Sequence, residues 1–147
     1  GLDDPEPEFI PFSKARERCL ALLKEGENWR SLPEKLQAEA LGGAYRSTGG
    51  RVGFYRRLWF DEPAPTVPTS PVQKSTCLCH PTELRPLSVK EYARVQQFPD
   101  DWRFVGSLAD RYRQIGNAVP IGLGYVIGLV LRRFLFNYEV LEGTGSA

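Results

Sequence analysis

Residues 111–120 read RYRQIGNAVP, and this stretch decides how the C-terminal third of the chain folds. An Asn beside a Gly favours a turn or a left-handed backbone conformation. Pro120 fixes its own φ and restricts Val119 to extended geometry. An apolar run, IGLGYVIGLVLRRFLF, follows directly at residues 121–136. The sequence therefore predicts a tight polar turn before a long helix, from about Pro120 to Tyr138, that is buried in a protein core.

The overall composition is typical of a soluble globular protein. A chain of 147 residues with 41% hydrophobic and 25% charged residues can bury the core of about one domain. The net charge of +1 favours no class of partner. Three cysteines without a disulfide-like pattern indicate a reducing compartment, and no signal-peptide pattern is found. The chain begins Gly-Leu-Asp-Asp and contains no Met, which fits either removal of an initiator Met or a piece of a longer protein.

Basic and aromatic residues concentrate in the middle third of the chain. Residues 44–60, AYRSTGGRVGFYRRLWF, contain four arginines and no acid. In residues 63–80, PAPTVPTSPVQKSTCLCH, Lys74 is the only formal charge. The Gly and Pro content predicts strands and ordered loops here rather than helix.

Apolar periodicity predicts four further helices. Ser31 with Glu34, and Ser88 with Glu91, have the spacing of capping boxes, and Ser13 is positioned to cap the first helix. The four segments are KARERCLALLKEG (14–26), SLPEKLQAEALGG (31–43), LSVKEYARVQQFP (87–99) and SLADRYRQIG (107–116).

Two longer patterns resemble a known family. RPLSVKEYARVQQFPDDW (85–102) and RYRQIGNAVP (111–120) resemble motifs IX and X of the cytosine-5 DNA methyltransferases. The family patterns are Arg-x-Leu-Ser/Thr-x-x-Glu-x-Ala-Arg-x-Gln-x-Phe-Pro and Gln-x-Gly-Asn-Ser/Ala-Val-Pro. GGRVGFYRRLWFDEPAPTVPTSP (49–71) resembles the target-recognition region that precedes motif IX. The specific resemblance covers roughly residues 43–136, and the first forty residues match only loosely.

Several motifs of that family have no counterpart in this chain. The family's nucleophile is a Cys that follows a Pro, whereas Cys19, Cys77 and Cys79 follow other residues. The Phe-x-Gly-x-Gly, Glu-Asn-Val and Gln-x-Arg-x-Arg motifs are also missing, and in the family all of these lie N-terminal to the target-recognition region. The resemblance therefore implies a C-terminal half without catalytic residues, which is inactive until an N-terminal half joins it.

The resemblance also implies a fold. We expect an α+β chain, in which a small target-recognition domain with short strands and loops precedes helices. Those helices would complete a Rossmann-like methyltransferase domain supplied by the N-terminal half. The predicted divisions are 1–84 for the recognition domain, 85–113 for a motif IX hinge and 114–147 for motif X with the last helix.

The DNA-contacting residues are expected in the basic middle region. The family must flip its target base out of the duplex, so one part of the enzyme has to grip and read DNA. Arginine suits both phosphates and guanine, and a polar row after it resembles the family's second recognition loop. The alternative is that the arginines are solvated strand residues and the threonines pair across a sheet. Tyr55 and Trp59 are expected to pack rather than stack on bases. The predicted DNA contacts are Arg51, Arg56, Arg57, Thr66, Thr69, Ser70, Gln73 and Lys74.

Motifs IX and X carry further predictions. Arg85, Glu91 and Arg94 are expected to form a buried ion-pair network, the alternative being weak surface pairs. The resemblance implies that Asn117 and the backbone at Val119 contact S-adenosylmethionine. The alternative for Asn117 is a cap of the following helix.

The motif Cys77-Leu78-Cys79-His80 lacks a clear fourth ligand, so we predict no metal site and regard His80 as an ordinary loop residue.

The sequence thus leads to one preferred function and two alternatives. The preferred function is the recognition half of a cytosine-5 DNA methyltransferase of a restriction-modification system. Its partners would be double-stranded DNA and an N-terminal catalytic half, without a membrane, in the bacterial cytoplasm beside the nucleoid. The alternatives are a DNA-binding module that acts alone and an interaction domain without a nucleic-acid role.

Overall fold

The structure is a computed structural model that describes residues 4–46, 53–73 and 75–142, with side chains described as far as residue 136. Helices and a two-stranded sheet make up an α+β fold, which confirms the predicted class. The helices and strands are α1 (Lys14–Leu20), α2 (Glu34–Leu41), β1 (Arg56–Arg57), β2 (Leu78–Cys79), α3 (Val89–Val95), α4 (Leu108–Asn117) and α5 (Ile121–Glu142), with 3₁₀ turns at Trp29–Ser31 and Gly42–Arg46.

The first helix is shorter than the sequence predicts. Helix α1 ends at Leu20, and the chain then turns through Gly26, which has a φ of +78°. The Gly26 amide donates to the Leu58 carbonyl at 3.2 Å. The Trp59 indole lies directly over Gly26, so that a Cβ there would be 1.5 Å from the indole Nε1. Tertiary contacts of the segment after Leu20 therefore replace the last two predicted helical turns.

The capping box predicted at Ser31 and Glu34 is wrong. Asn28 caps the 3₁₀ turn instead, because its side chain accepts from the Arg30 amide at 3.1 Å. Ser31 is the last residue of that turn, and Pro33 occupies the N-cap position of α2.

The small sheet lies between two hydrophobic cores. Strands β1 and β2 are parallel, with Arg56 opposite Leu78 and Arg57 opposite Cys79. Cys79 belongs to the first core, together with residues of α1 and α2, and Leu78 belongs to the second core, together with residues of α3 and α4. Adjacent residues of a strand point to opposite faces, so two residues of β2 are enough to serve both cores. The second core draws residues from both sides of position 84, and the predicted domain division stays a prediction.

Helices α3 and α4 begin at capping boxes. Ser88 accepts from the Glu91 amide at 3.2 Å, and Glu91 accepts from the Ser88 amide at 2.7 Å, as the sequence predicts. Ser107 and Asp110 form an equivalent box at α4. The rings of Tyr92 on α3 and Tyr112 on α4 meet edge to face, with centroids 5.1 Å apart.

Helix α5 is not buried by the described residues of this chain. The apolar sequence alone predicts a buried helix, whereas a helix that completes a domain supplied by the N-terminal half is expected to be uncovered when that half is absent. Large apolar side chains are exposed along its described length, Phe134 by 70% and Tyr125 by 68%. The segment Leu108–Phe136 is long and apolar enough to cross a membrane, judged by length and composition only. No element among the described residues packs over this surface, so the sequence signal of a core helix is present without its cover.

Candidate nucleic-acid and cofactor site

Arg57 holds separate segments of the backbone together. Its side chain is 6% exposed, and its guanidinium donates only to backbone carbonyls in the contacts described. The DNA contact predicted for Arg57 does not fit this geometry, because the donors face the protein interior. The acceptors are the carbonyls of Leu20 at 3.0 Å, Leu23 at 2.8 Å, His80 at 2.9 Å, Pro81 at 3.3 Å and Glu83 at 2.9 Å.

The position of Arg56 is compatible with the predicted DNA contact. It is half-buried and lines a cleft of about 260 Å³ that also includes Asn28, Trp59 and Glu62. Arg51 and Lys74, which we also predicted to contact DNA, lie outside the described residues. Tyr55 is buried and packs as expected. Trp59 packs over Gly26 but is half exposed and lines this cleft.

The predicted polar row forms one irregular segment, residues 66–73, which we call the recognition loop. Thr66 and Gln73 are exposed, and Thr69 and Ser70 are partly buried. Gln73 donates to the Thr69 hydroxyl at 3.5 Å and accepts from Thr76 at 3.2 Å. The Ser70 hydroxyl accepts from the Val72 amide at 3.4 Å. No described residue of this loop belongs to a strand, so the alternative of cross-strand threonine pairs does not apply.

A buried ion pair joins the start of motif IX to α3. The Arg85 guanidinium donates to both carboxylate oxygens of Glu91, at 2.7 and 2.8 Å, and Glu91 is fully buried. Arg85 also pairs with the exposed Glu83 at 2.9 Å. The hydrogen bonds that Arg85 donates to Glu91 raise the pKa of Arg85, and those that it donates to Glu83 lower the pKa of Glu83. Arg85 and Glu91 thus meet as the sequence predicts.

Arg94 has a different carboxylate partner from the one expected. It donates to both oxygens of Asp100, at 2.7 and 2.8 Å, in the loop after α3. This pair is exposed on the Asp100 side. It links the last turn of α3 to the loop that follows.

His80 is more than the loop residue that we expected. It is 4% exposed, and its Nδ1 accepts from the amides of Thr82 and Glu83 at 3.3 and 3.1 Å. Its Nε2 lies 3.7 Å from a Glu91 oxygen. The Cys-x-Cys-His spacing could not have suggested this position beside the ion pair.

The segment 115–120, which comprises the end of α4 and the connection to α5, is held by two residues that follow α3. We call it the cofactor turn. The buried Gln96 side chain donates to the carbonyls of Ile115 and Ala118, at 3.1 and 3.0 Å. The Gln97 side chain accepts from the Gly122 amide at 2.6 Å, which fixes the first turn of α5. The sequence points to Gln96 only as a member of the motif IX pattern, and Gln97 occupies an unspecified position of that pattern.

Asn117 and Val119, the predicted cofactor contacts, are both exposed on this turn. Asn117 is the last residue of α4, and Pro120 immediately precedes α5, so Asn117 does not cap α5. Within the described part of the chain, no hydrogen bond engages the side-chain amide of Asn117. A cleft of about 410 Å³ is lined by Thr66 of the recognition loop and by Ala118 of the cofactor turn. The two segments therefore meet at this cleft, but Asn117 and Val119 do not line it. Asn117 lines a separate cleft of about 340 Å³ together with Gly106 and Gln114.

The cysteines are not suited to nucleophilic chemistry. All three are buried and free. Burial raises the pKa of the Cys77 thiol to about 12 and that of Cys79 to about 11, so both are protonated at neutral pH. Among the residues searched, no group of three His, Cys, Asp or Glu side chains could hold a metal ion.

Comparison with known proteins assigns this arrangement to a family. The family model of the C-5 cytosine-specific DNA methylases matches residues 15–133. The chain belongs to this family. The match begins at the second residue of α1, so it includes part of the N-terminal region for which the sequence suggested only a loose resemblance.

Bacterial and plant relatives are similar over different shares of the chain. The Type II methyltransferase M.Eco47II of Escherichia coli is 45% identical over 126 residues, which are 86% of this chain and 30% of that protein. The Type II methyltransferase M.Sau96I of Staphylococcus aureus is 44% identical over 135 residues, which are 92% of this chain and 31% of that protein. DNA (cytosine-5)-methyltransferase CMT2 of Arabidopsis thaliana is 46% identical over 82 residues, which are 53% of this chain and 6% of that protein. The chain therefore spans less than a third of the length of these bacterial methylases.

Proposed function

We propose that this chain is the DNA-recognition part of a cytosine-5 DNA methyltransferase of a bacterial restriction-modification system. The assembled enzyme would transfer a methyl group from S-adenosylmethionine to a flipped cytosine in a specific duplex sequence. Family membership and the similarity to two proteins named Type II methyltransferases support this proposal. The chain acts in the bacterial cytoplasm beside the nucleoid, where its DNA substrate lies.

The uncovered surface of α5 carries the proposal. A helix that exposes aromatic and aliphatic side chains along its length needs a partner surface, because exposed patches of this extent mark interaction sites. The remaining part of the enzyme, which accounts for about 70% of the length of M.Eco47II, supplies that surface. Helix α5 therefore packs on the catalytic half rather than crossing a membrane.

The two halves divide the chemistry. Attack on carbon 6 of cytosine requires the base to leave the duplex, so one part must hold the distorted DNA while another holds the nucleophile. The protonated, buried cysteines leave the nucleophile to the N-terminal half. This chain contributes DNA contacts from Arg56, from the recognition loop, and from Arg51 and Lys74.

The cofactor turn fits a supporting role in binding S-adenosylmethionine. The exposed Asn117 amide offers a donor and an acceptor, and the exposed Val119 offers apolar surface beside it. When bound, the cofactor supplies the methyl group. Asn117 and the Val119 backbone would orient it from one side, and the N-terminal half would hold the rest.

Methyl transfer tests the proposal directly. Labelled S-adenosylmethionine and mixed-sequence duplex DNA are incubated with this chain alone, with the polypeptide encoded immediately upstream, and with both together. We expect labelled DNA only from the mixture. Activity of the chain alone would refute the division of labour. If the mixture produced no labelled DNA and the chain alone bound duplex DNA tightly, the result would favour the stand-alone DNA-binding module.

Asn117→Ala tests the cofactor turn within the active mixture. We expect the KM for S-adenosylmethionine to rise several-fold, with the methylated sequence unchanged, because the amide orients the cofactor and does not touch DNA. Glu34→Ala, at an exposed position on α2 that lines none of the clefts described above, is the control. A change in the methylated sequence would show that Asn117 contacts DNA instead.

A further inference from the structure

The recognition loop and the cofactor turn touch each other through their backbones. Gly116 packs against Pro68 and Thr69 so closely that a Cβ at Gly116 would lie 2.3 Å from the Pro68 carbonyl oxygen and 2.6 Å from the Thr69 Cα. Backbone atoms cannot rotate away as a side-chain end can. Only Gly at this position allows the last turn of α4 to lie on the recognition loop.

Tyr92 fixes the same point of the recognition loop from α3. Its hydroxyl donates to the Pro68 carbonyl at 2.7 Å, and its side chain is fully buried. The ring is held edge to face against Tyr112. The Pro68 carbonyl is therefore enclosed by a hydrogen-bond donor on one helix and by a glycine on the next.

The side chain of Gln96 holds the cofactor turn in place. Its amide nitrogen donates to the carbonyls on either side of Asn117, those of Ile115 and Ala118. Gln96 and Tyr92 lie one turn apart on the same helical segment, and the backbone amide of Gln96 donates to the Tyr92 carbonyl at 3.4 Å. The recognition loop and the cofactor turn are therefore held to the same end of α3 and to each other.

We propose that Tyr92 and Gly116 are positioning residues that couple DNA binding to S-adenosylmethionine binding. The inference rests on the proposed function, which assigns DNA to the recognition loop and the cofactor to the cofactor turn. A duplex that orders residues 66–73 also orders residues 115–120 through the shared contact at Pro68. Each ligand then strengthens the binding of the other by the same factor, as thermodynamic linkage requires.

The test measures that factor in the assembled enzyme. The duplex is one recovered from a random-sequence pool after methylation, and S-adenosylhomocysteine replaces the cofactor so that no reaction occurs. Its Kd is measured by calorimetry with and without saturating duplex, for the wild type, Tyr92→Phe and Gly116→Ala. Tyr112→Phe is the matched control for Tyr92, since its equally buried hydroxyl donates at 2.8 Å to the Leu87 carbonyl, outside the recognition loop. Gly43→Ala is the control for Gly116, because a Cβ there meets nothing within 4 Å.

We expect the duplex to lower the wild-type Kd at least about fivefold, the lower end of ordinary coupling between sites. In Tyr92→Phe and Gly116→Ala that factor should fall toward one, while both controls keep the wild-type factor. A general loss of stability would weaken both Kd values together and leave their ratio unchanged. A wild-type factor of one, or variants that retain the wild-type factor, would overturn the inference. If the assembled wild type bound neither ligand, the proposed function itself would fail.

Discussion

Replacing Arg57 with Met should destabilise the fold, although the basic sequence around Arg57 suggests a DNA contact. A hydrogen bond from a charged donor contributes about 1.5–3 kcal/mol, so four of them sum to about 6 kcal/mol at the low end. Met does not carry the desolvation cost of a buried cation, which is several kcal/mol, and this offsets part of the lost hydrogen-bond energy. We expect Arg57→Met to lower the free energy of unfolding by about 3 kcal/mol. The four shortest contacts are those to the carbonyls of Leu23, His80, Glu83 and Leu20, at 2.8, 2.9, 2.9 and 3.0 Å.

Urea unfolding followed by tryptophan fluorescence measures this effect. Trp29 is buried in the first core and reports its loss. With a slope of about 1.5 kcal/mol per molar urea, the midpoint of Arg57→Met should lie about 2 M below that of the wild type. Arg56→Met, at the half-buried neighbouring position, should change the free energy of unfolding by less than about 0.5 kcal/mol.

The opposite pattern would refute the assignment. If Arg57→Met unfolded at the wild-type urea concentration, and the assembled enzyme lost duplex affinity with a shallower salt dependence, Arg57 would be a phosphate contact. The carbonyl contacts described for it would then be incorrect.

Two further predictions concern the ion pairs. Glu91→Gln removes the buried one of the two carboxylate partners of Arg85 and leaves only the exposed Glu83, so the free energy of unfolding should fall by about 3 kcal/mol; calorimetry that finds an unchanged Tm would contradict a buried pair. Arg111 and Arg85 lower the pKa values of Glu8 and Glu83 below their ordinary value of 4.5. A folded-state pKa below the unfolded one means that the added stability is complete above pH 4.5 and is lost as the pH falls through the folded-state value. The Tm should therefore be level near neutral pH and fall in acid, and Arg111→Gln should flatten that fall; an equally steep fall in the variant would exclude a contribution from the Glu8 pair.

The parts of the fold that the sequence predicts are those with local signals. Ser88 and Glu91 form their capping box because both partners lie within one turn and no competing cap precedes them. Ser31 and Glu34 have the same spacing, but Asn28 caps the preceding 3₁₀ turn and moves Ser31 outside the helix. Sequence spacing alone does not show which of two neighbouring polar residues takes the cap.

The parts that the sequence does not predict depend on distant partners. The acceptors of Arg57 are 23 to 37 positions away, so nothing in RVGFYRRLWF distinguishes it from Arg56. Gly116 looks like a turn residue beside Asn117, yet it lies inside α4 and serves the contact with Pro68. In both cases the residue type was informative, but its partner became visible only in the fold.

The Trp59 side chain over Gly26 constrains how these two positions can change during evolution. A larger residue at 26 meets two separate obstacles, the indole at 1.5 Å from its Cβ and a φ of +78°. A smaller residue at 59 would remove the first obstacle and leave the second. Position 59 can therefore change while position 26 stays Gly, because the φ of +78° still strains any larger residue at 26 after the tryptophan has been replaced.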